Sequence, residues 1–303
     1  MTTLSALCAV LLSPFFLGGA GIVFFGRVIR TIPGLLFHSV SPNNRLVLSS
    51  ISVSSFRAIA GALETKNFTT LTMKEAVPIG TGTIPADSRK QRVLLTFDDG
   101  CRSFFSHALP VLEALKFKAT VFPVAGYIGR YSSWDVMPSF PHLTKPEIME
   151  ISALGHEIGS HGLTHADLTY LGPSDLKVEL GDSKKILEDI TGKKVTALSF
   201  PFGSWNTRVW ELAQELGYCC GTIYRKHGHA LPGLIPVHGV YGFDTPQTIL
   251  DRIAPAYPCS LSMACARIMS HFAKGAPLWK FDTSYLLRPD TKRCGIKNPV
   301  RFL

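Results

Sequence analysis

The sequence predicts a parallel α/β fold. Short apolar runs rich in Leu, Val, Ile and Phe alternate along the chain with stretches of helical spacing;. A chain of 303 residues with 46% hydrophobic residues can also bury the large core such a fold needs;. Finally, one apolar run ends on two adjacent acids, Asp98 and Asp99, where parallel strands deliver functional side chains to the mouth of a sheet or barrel;.

The chain opens on an apolar segment. Residues 2–26 carry no charge, and Leu4–Leu12 and Phe15–Phe25 are interrupted only by Pro14, Gly18 and Gly19. That length can span a bilayer. No basic residue precedes it, whereas Arg27 and Arg30 follow, which by the positive-inside rule places the rest of the chain on the cytoplasmic side;. A membrane anchor, an atypical export signal and a stretch upstream of the true start all fit. The expectation is membrane association through residues 2–26, with the side open, or an exported or cytoplasmic protein if the segment is not native.

Next, Gly34–Val40 reads as a strand ending in a turn at Ser41-Pro42-Asn43-Asn44;. Ser54–Lys66 has helical spacing, with Phe56, Ile59, Ala60 and Leu63 on one face;. Thr70–Thr72 is a short strand, and Val77–Arg89 reads as a loop. Arg92–Phe97 is a buried strand stopping at Asp98-Asp99-Gly100, and a helix from Ser106 to Leu115 leads to a strand at Ala119–Val124. Lys145–Ala153 is helical, and Glu157–Ser160 is a strand leading into His161. Ser174–Thr191 is an amphipathic helix capped by Ser174 and ended by Gly192;. Ala197–Phe200, Thr222–Tyr224 and Leu234–His238 are strands, and Arg208–Gly217 is a helix. Cys259–His271 reads as helical before an irregular basic tail. The domains expected are an apolar segment (1–30), a catalytic domain (31–256) and a basic extension (257–303).

The net charge is +9, but the basic residues are scattered, and no nucleic-acid-binding signature is present, so no nucleic-acid partner is expected;. Seven cysteines without a CxxC pair read as free thiols rather than a disulfide framework;.

Two motifs carry chemistry. Asp98 and Asp99 repel each other, so a neighbouring cation would stabilise the pair, and Gly100 permits a sharp turn. Alone, a turn capping the next helix explains them as well. In Ser160–His165, SHGLTH, the two histidines are four apart, so on a helical turn both rings can share one metal;. Alone, one capping and one exposed histidine explain that spacing. Together, two His and one Asp make a ligand triad with open positions, suited to zinc or another first-row divalent ion. The second Asp is left as a base for water.

TFDDG (Thr96–Gly100) and SHGLTH resemble the first two motifs of the NodB-homology polysaccharide deacetylases, carbohydrate esterase family four. The likeness covers about Ile32–Ala254 and includes LLFHSVSP, GHEIGSH and SFPFGSWN. It implies a distorted parallel (β/α) barrel that hydrolyses N-acetyl groups on amino sugars. Carried over by residue, it implies Asp98 as the base acting on metal-bound water, and Asp99, His161 and His165 as metal ligands. Zinc is expected, with Co, Ni or Mn as alternatives. The resemblance also implies a Pro-aromatic motif, Pro201-Phe202, whose Phe202 N–H helps hold the oxyanion, and a late histidine acid, for which His238 is the candidate. A strand-end His bonded to backbone explains His238 equally well. Where the family often carries an Arg orienting the base, this chain has Ser199. His38 is a further candidate near the site, His156 reads as structural, and Trp134, Trp205 and Tyr241 are candidates for sugar stacking. The leading expectation is a carbohydrate N-deacetylase acting on an N-acetylated glycan. A non-sugar amidase on the same scaffold and a non-catalytic carbohydrate-binding protein are the alternatives.

Overall fold

The computed structural model describes residues 32–42, 49–80, 91–132, 140–224 and 231–253. The apolar segment, Trp134, the Cys259–His271 helix and the basic extension lie outside them. Among the described residues no helix is long and apolar enough to cross a membrane.

The wall is a parallel sheet. In order around it stand β7 (Glu157–Ile158), β6 (Thr120–Val121), β5 (Gln91–Phe97), β1 (Gly34–Phe37), β10 (Leu234–Gly239), β9 (Cys220–Tyr224) and β8 (Ala197–Ser199). A further strand, β4 (Phe68–Leu71), pairs the first half of β5, whose second half pairs β6. The two ends of the sheet nearly meet, because Ser160 bridges to Leu198: the Ser160 N–H donates to the Ala197 carbonyl, and the Ser199 N–H to the Ser160 carbonyl, both at 2.9 Å. The result is a nearly closed parallel barrel.

Strand alternation sorts the side chains. On β5, Val93, Leu95 and Phe97 join the large core cluster with Phe56, Ile59 and Leu63 of α1 (Val53–Thr65). Each such side chain, fully buried, contributes about 1.5–3 kcal/mol. Leu94 points the other way, into a second cluster with Phe122, Ala197, Cys220 and Ile235. Met73 and Ala76 of α2 (Met73–Gly80) plug that cluster at the barrel floor. The expected loop thus begins inside a helix, and its amphipathic start, which seals the floor, was hidden by the Pro and Gly that follow.

The outer helices follow their sequence signals. Ser52 caps α1, and α4 (Lys145–Ala153) begins with a capping box of Thr144 and Glu147. Asn206 caps α6 (Thr207–Glu215). The long α5 (Pro173–Thr191) ends on Gly192 in the left-handed region at φ 66°. Its N-cap is Gly172 rather than Ser174, because Pro173, with no N–H to donate, takes the first helical position;. The helix after the acid pair starts as a wide π turn, Phe104–Ala108, before α3 (Leu109–Ala114). Near the end of the described chain stands α7 (Pro246–Ile253), which was not foreseen.

The first strand is shorter than the apolar run. It breaks at His38, and Ser39–Ser41 (β2) leaves the barrel to pair with Ser50–Ser52 (β3). The break sets His38 at the barrel mouth, level with the end of β5.

Candidate active site

Three strand ends converge at the mouth. β5 delivers Asp98 and Asp99, the segment after β7 delivers His161 and His165, and β8 delivers Ser199. The turn after β5 is tight: Asp99 and Gly100 both have positive φ, 67° and 68°. A Cβ at Gly100 would lie 2.7 Å from the Pro123 Cα, so only glycine fits there.

The two histidines do not share a helix. They sit on a loop in which Gly162 and His165 have positive φ, 79° and 62°. Left-handed backbone at a non-glycine residue costs about 1–3 kcal/mol and persists only where its surroundings over-determine it. The buried Glu179 of α5 provides the restraint. It accepts from the Leu163 N–H at 2.9 Å, the Thr164 N–H at 2.6 Å and the Thr164 hydroxyl. This residue was missed in the sequence, although a signal exists: with Leu176, Leu180, Ser183 and Leu187 it occupies the buried face of α5.

The loop brings His161 Nε2 to 3.5 Å and His165 Nε2 to 3.4 Å from Asp99 Oδ1. Asp99, His161 and His165 each offer one ligand atom, all within 4.8 Å of one another. Ligands on a tetrahedral ion with bonds near 2.0–2.1 Å stand about 3.3 Å apart, close to the two separations from Asp99 Oδ1;. The tautomer fits as well. His161 Nδ1 lies 2.9 Å from the Ser199 carbonyl, which can only accept, so Nδ1 carries a proton; Nε2, which bonds Asp99 when protonated, is the nitrogen that would offer a lone pair to an ion;. The electrostatics call for positive charge. Burial pushes the His161 pKa down, but the charges of Asp98 and Asp99 outweigh it and raise it. Burial pushes Asp99 up, but hydrogen bonds to the two histidines overcome that and hold it well below the usual range.

Asp98 stands apart from the triad in kind. Its Oδ2 accepts from the Ser199 hydroxyl at 2.8 Å, while its buried Oδ1 has no hydrogen-bond partner among the described residues. Burial raises its pKa, with the nearby His161 and His38 pulling the other way. The side chain at the position of the absent Arg therefore still contacts the acid.

Phe202 has φ 60°, and its ring meets that of His165 edge-on at 4.6 Å. Pro201 starts the same short turn. Trp205 stacks on Phe200, and Tyr241 on the exposed Phe243. His156 is structural: it accepts from the Ala119 N–H at 3.1 Å and bonds Glu113 at 3.0 Å.

His238 is not brought to this cluster. The β1–β10 register pairs it with Leu35, so the pleat turns it to the helix-facing side of the wall;. It also stands three residues below His38, about 10 Å along the strand. The late-strand spacing could not reveal which face the histidine takes. On the inner side stands His38, whose buried Nδ1 has no hydrogen-bond partner among the described residues.

Barrel and site together define an α/β-barrel protein with an Asp-His-His cluster that could hold a metal ion and a separate buried carboxylate at its mouth. Residues 86–221 match the family model described as "Polysaccharide deacetylase". The chain carries a polysaccharide deacetylase domain of the NodB-homology type. It is 32% identical over 192 residues to YxkH of Bacillus subtilis, a protein named for the polysaccharide deacetylase family; the match covers 63% of each chain. It is 31% identical over 137 residues to the peptidoglycan-N-acetylglucosamine deacetylase of Listeria monocytogenes, covering 44% of this chain and 26% of that one. The chain thus spans under two thirds of the length of these curated relatives. The fold matches the deacetylase PplD of Streptococcus pyogenes at a TM-score of 0.64 and 22% identity, covering 74% of this chain and 99% of that one. It also matches a polysaccharide deacetylase of Bacillus cereus at 0.61 and 24%, covering 74% and 69%.

Proposed function

We propose that the chain is a carbohydrate N-deacetylase that hydrolyses the N-acetyl amide of amino sugars in a glycan. The observation that carries this is the pairing of a candidate three-ligand cluster with a separate buried carboxylate, Asp98, whose Oδ1 has no hydrogen-bond partner among the described residues. A binding module needs no such base. The sugar substrate is supported by relatives named as chitin and peptidoglycan deacetylases.

Asp99, His161 and His165 would hold a divalent ion, and two imidazoles with a carboxylate favour zinc. The chemistry such an ion supplies is polarisation of the acetyl carbonyl and a lower pKa for water. Asp98 Oδ1 takes the proton of the attacking water, and burial, by raising its pKa, makes it a stronger base;. The Phe202 N–H lies in the segment that would face the developing oxyanion. The buried Nδ1 of His38 and the outward register of His238 support His38 as the group that would hand a proton to the leaving amine.

The test is acetate release from N-acetylglucosamine oligomers and from peptidoglycan. Wild type should release acetate, and Asp98→Asn should keep zinc while losing about 10²–10⁴-fold in kcat. Zinc binding without release from any glycan would favour a non-sugar amidase.

A further inference from the structure

The Ser199 contact raises a question of direction. A hydroxyl has one proton, and Ser199 can spend it on Asp98 or elsewhere. β8 and β9 pair with Ser199 opposite Thr222, and the Thr222 hydroxyl donates to Ser199 Oγ at 2.9 Å. With its oxygen so occupied, Ser199 turns its own proton to Asp98 Oδ2, and Oδ1 is left open.

We propose that Thr222 is a positioning residue for the base: its hydroxyl fixes Ser199, and Ser199 fixes the Asp98 carboxylate with Oδ1 towards the attacking water. The relay is built to hold still. Thr222 and Ser199 are 4% and 1% exposed, so water does not compete for their protons. Thr222 is β-branched on a strand paired on both sides, opposite Ser199 and Ile235, which restricts its χ1;. Two neutral hydroxyls thus orient the carboxylate without bringing a formal charge into the barrel, which a guanidinium would do.

The inference rests on the deacetylase reading for its kinetics, and its geometry is tested separately. Thr222→Val keeps the shape and removes the hydroxyl. It should lower kcat about tenfold, roughly 1.4 kcal/mol, with KM within about twofold. Thr222→Ser should return kcat to within about threefold of wild type. In a Ser199→Ala background Thr222→Val should add less than about twofold, because the relay is already cut. A raised KM with unchanged kcat, additive losses, or no rescue by serine would overturn the proposal. Crystal structures of the same variants decide it even if wild type releases no acetate, an outcome that would sink the deacetylase reading alone. The Asp98 carboxylate should turn in Thr222→Val and in Ser199→Ala and stay in Thr222→Ser. A carboxylate unmoved in all three refutes the relay. Should Thr222→Val not fold, Ser199→Ala carries the structural test.

Discussion

Removing the Glu179 carboxyl should loosen the metal loop from behind. In Glu179→Ala, the Leu163 and Thr164 N–H groups lose their acceptor. An orphaned N–H costs about 1–3 kcal/mol when buried, and these two are partly buried;. Water can enter the space left and recover part of this, so a net loss of about 3 kcal/mol is expected. In a domain of this size that lowers the melting temperature by roughly 6–12 °C. The same loop holds His165 in a left-handed conformation at φ 62°, so zinc should bind about 10–100-fold more weakly, the usual effect of losing a group that orients a ligand;. Glu179→Gln keeps one oxygen for both N–H groups, and the Thr164 hydroxyl can turn to accept from the new amide. It should stay within about 1 kcal/mol of wild type. Calorimetric zinc titration and thermal melting read both quantities. Glu179→Ala binding zinc within about twofold of wild type would refute the reasoning, since the loop would then hold its shape unaided.

Other outcomes follow from the same geometry. His38→Asn should lower kcat about 10²-fold while His238→Asn changes it less than about threefold, measured by acetate release; the reverse order would return the acid to β10. Chelation should lower the melting temperature of zinc-loaded protein, since an ion present at about 1,000 times its Kd adds roughly 4 kcal/mol to the folded state. Gly100→Ala should cost about 3 kcal/mol in denaturant unfolding, because φ is 68° and the new methyl meets the Pro123 backbone;. Burial lowers the His156 pKa from 6.5, against the pull of Glu113 and alongside the push of Lys118. The folded value lies below the unfolded one, so stability is full above about pH 6.5 and declines as pH falls through the folded value. His156→Asn, which keeps an acceptor for the Ala119 N–H, should flatten that part of the pH–stability curve, and an unchanged slope would contradict the assignment.

Much of this was legible because it rests on periodicity. The α1 face of Phe56, Ile59, Ala60 and Leu63 is buried as its spacing implies. The β5 run ending on Asp98 put the acids at the barrel mouth for the same reason. What escaped rests on tertiary pairing. Register alone decides that His238 shares a face with Leu35 and that Thr222 lies opposite Ser199. The histidine pair was foreseen, but a helical turn was the wrong vehicle: Gly162 and His165 adopt positive φ, which four-residue spacing does not encode. Glu179 escaped because a charged residue on a helix reads as solvent-facing until its neighbours Leu176 and Leu180 show which side it is on.

Ser199 does two jobs with two different parts of itself. Its main-chain carbonyl fixes His161, and its side chain holds Asp98. The first job belongs to any residue that keeps the β8 backbone in place; the second changes with the side chain. Position 199 is therefore a tuning point at which selection or design can reset the basicity and aim of the proton acceptor while the metal cradle is inherited intact. An arginine placed there would be a second setting of the same device, and a library confined to positions 199 and 222 should sample rate without sampling metal loss.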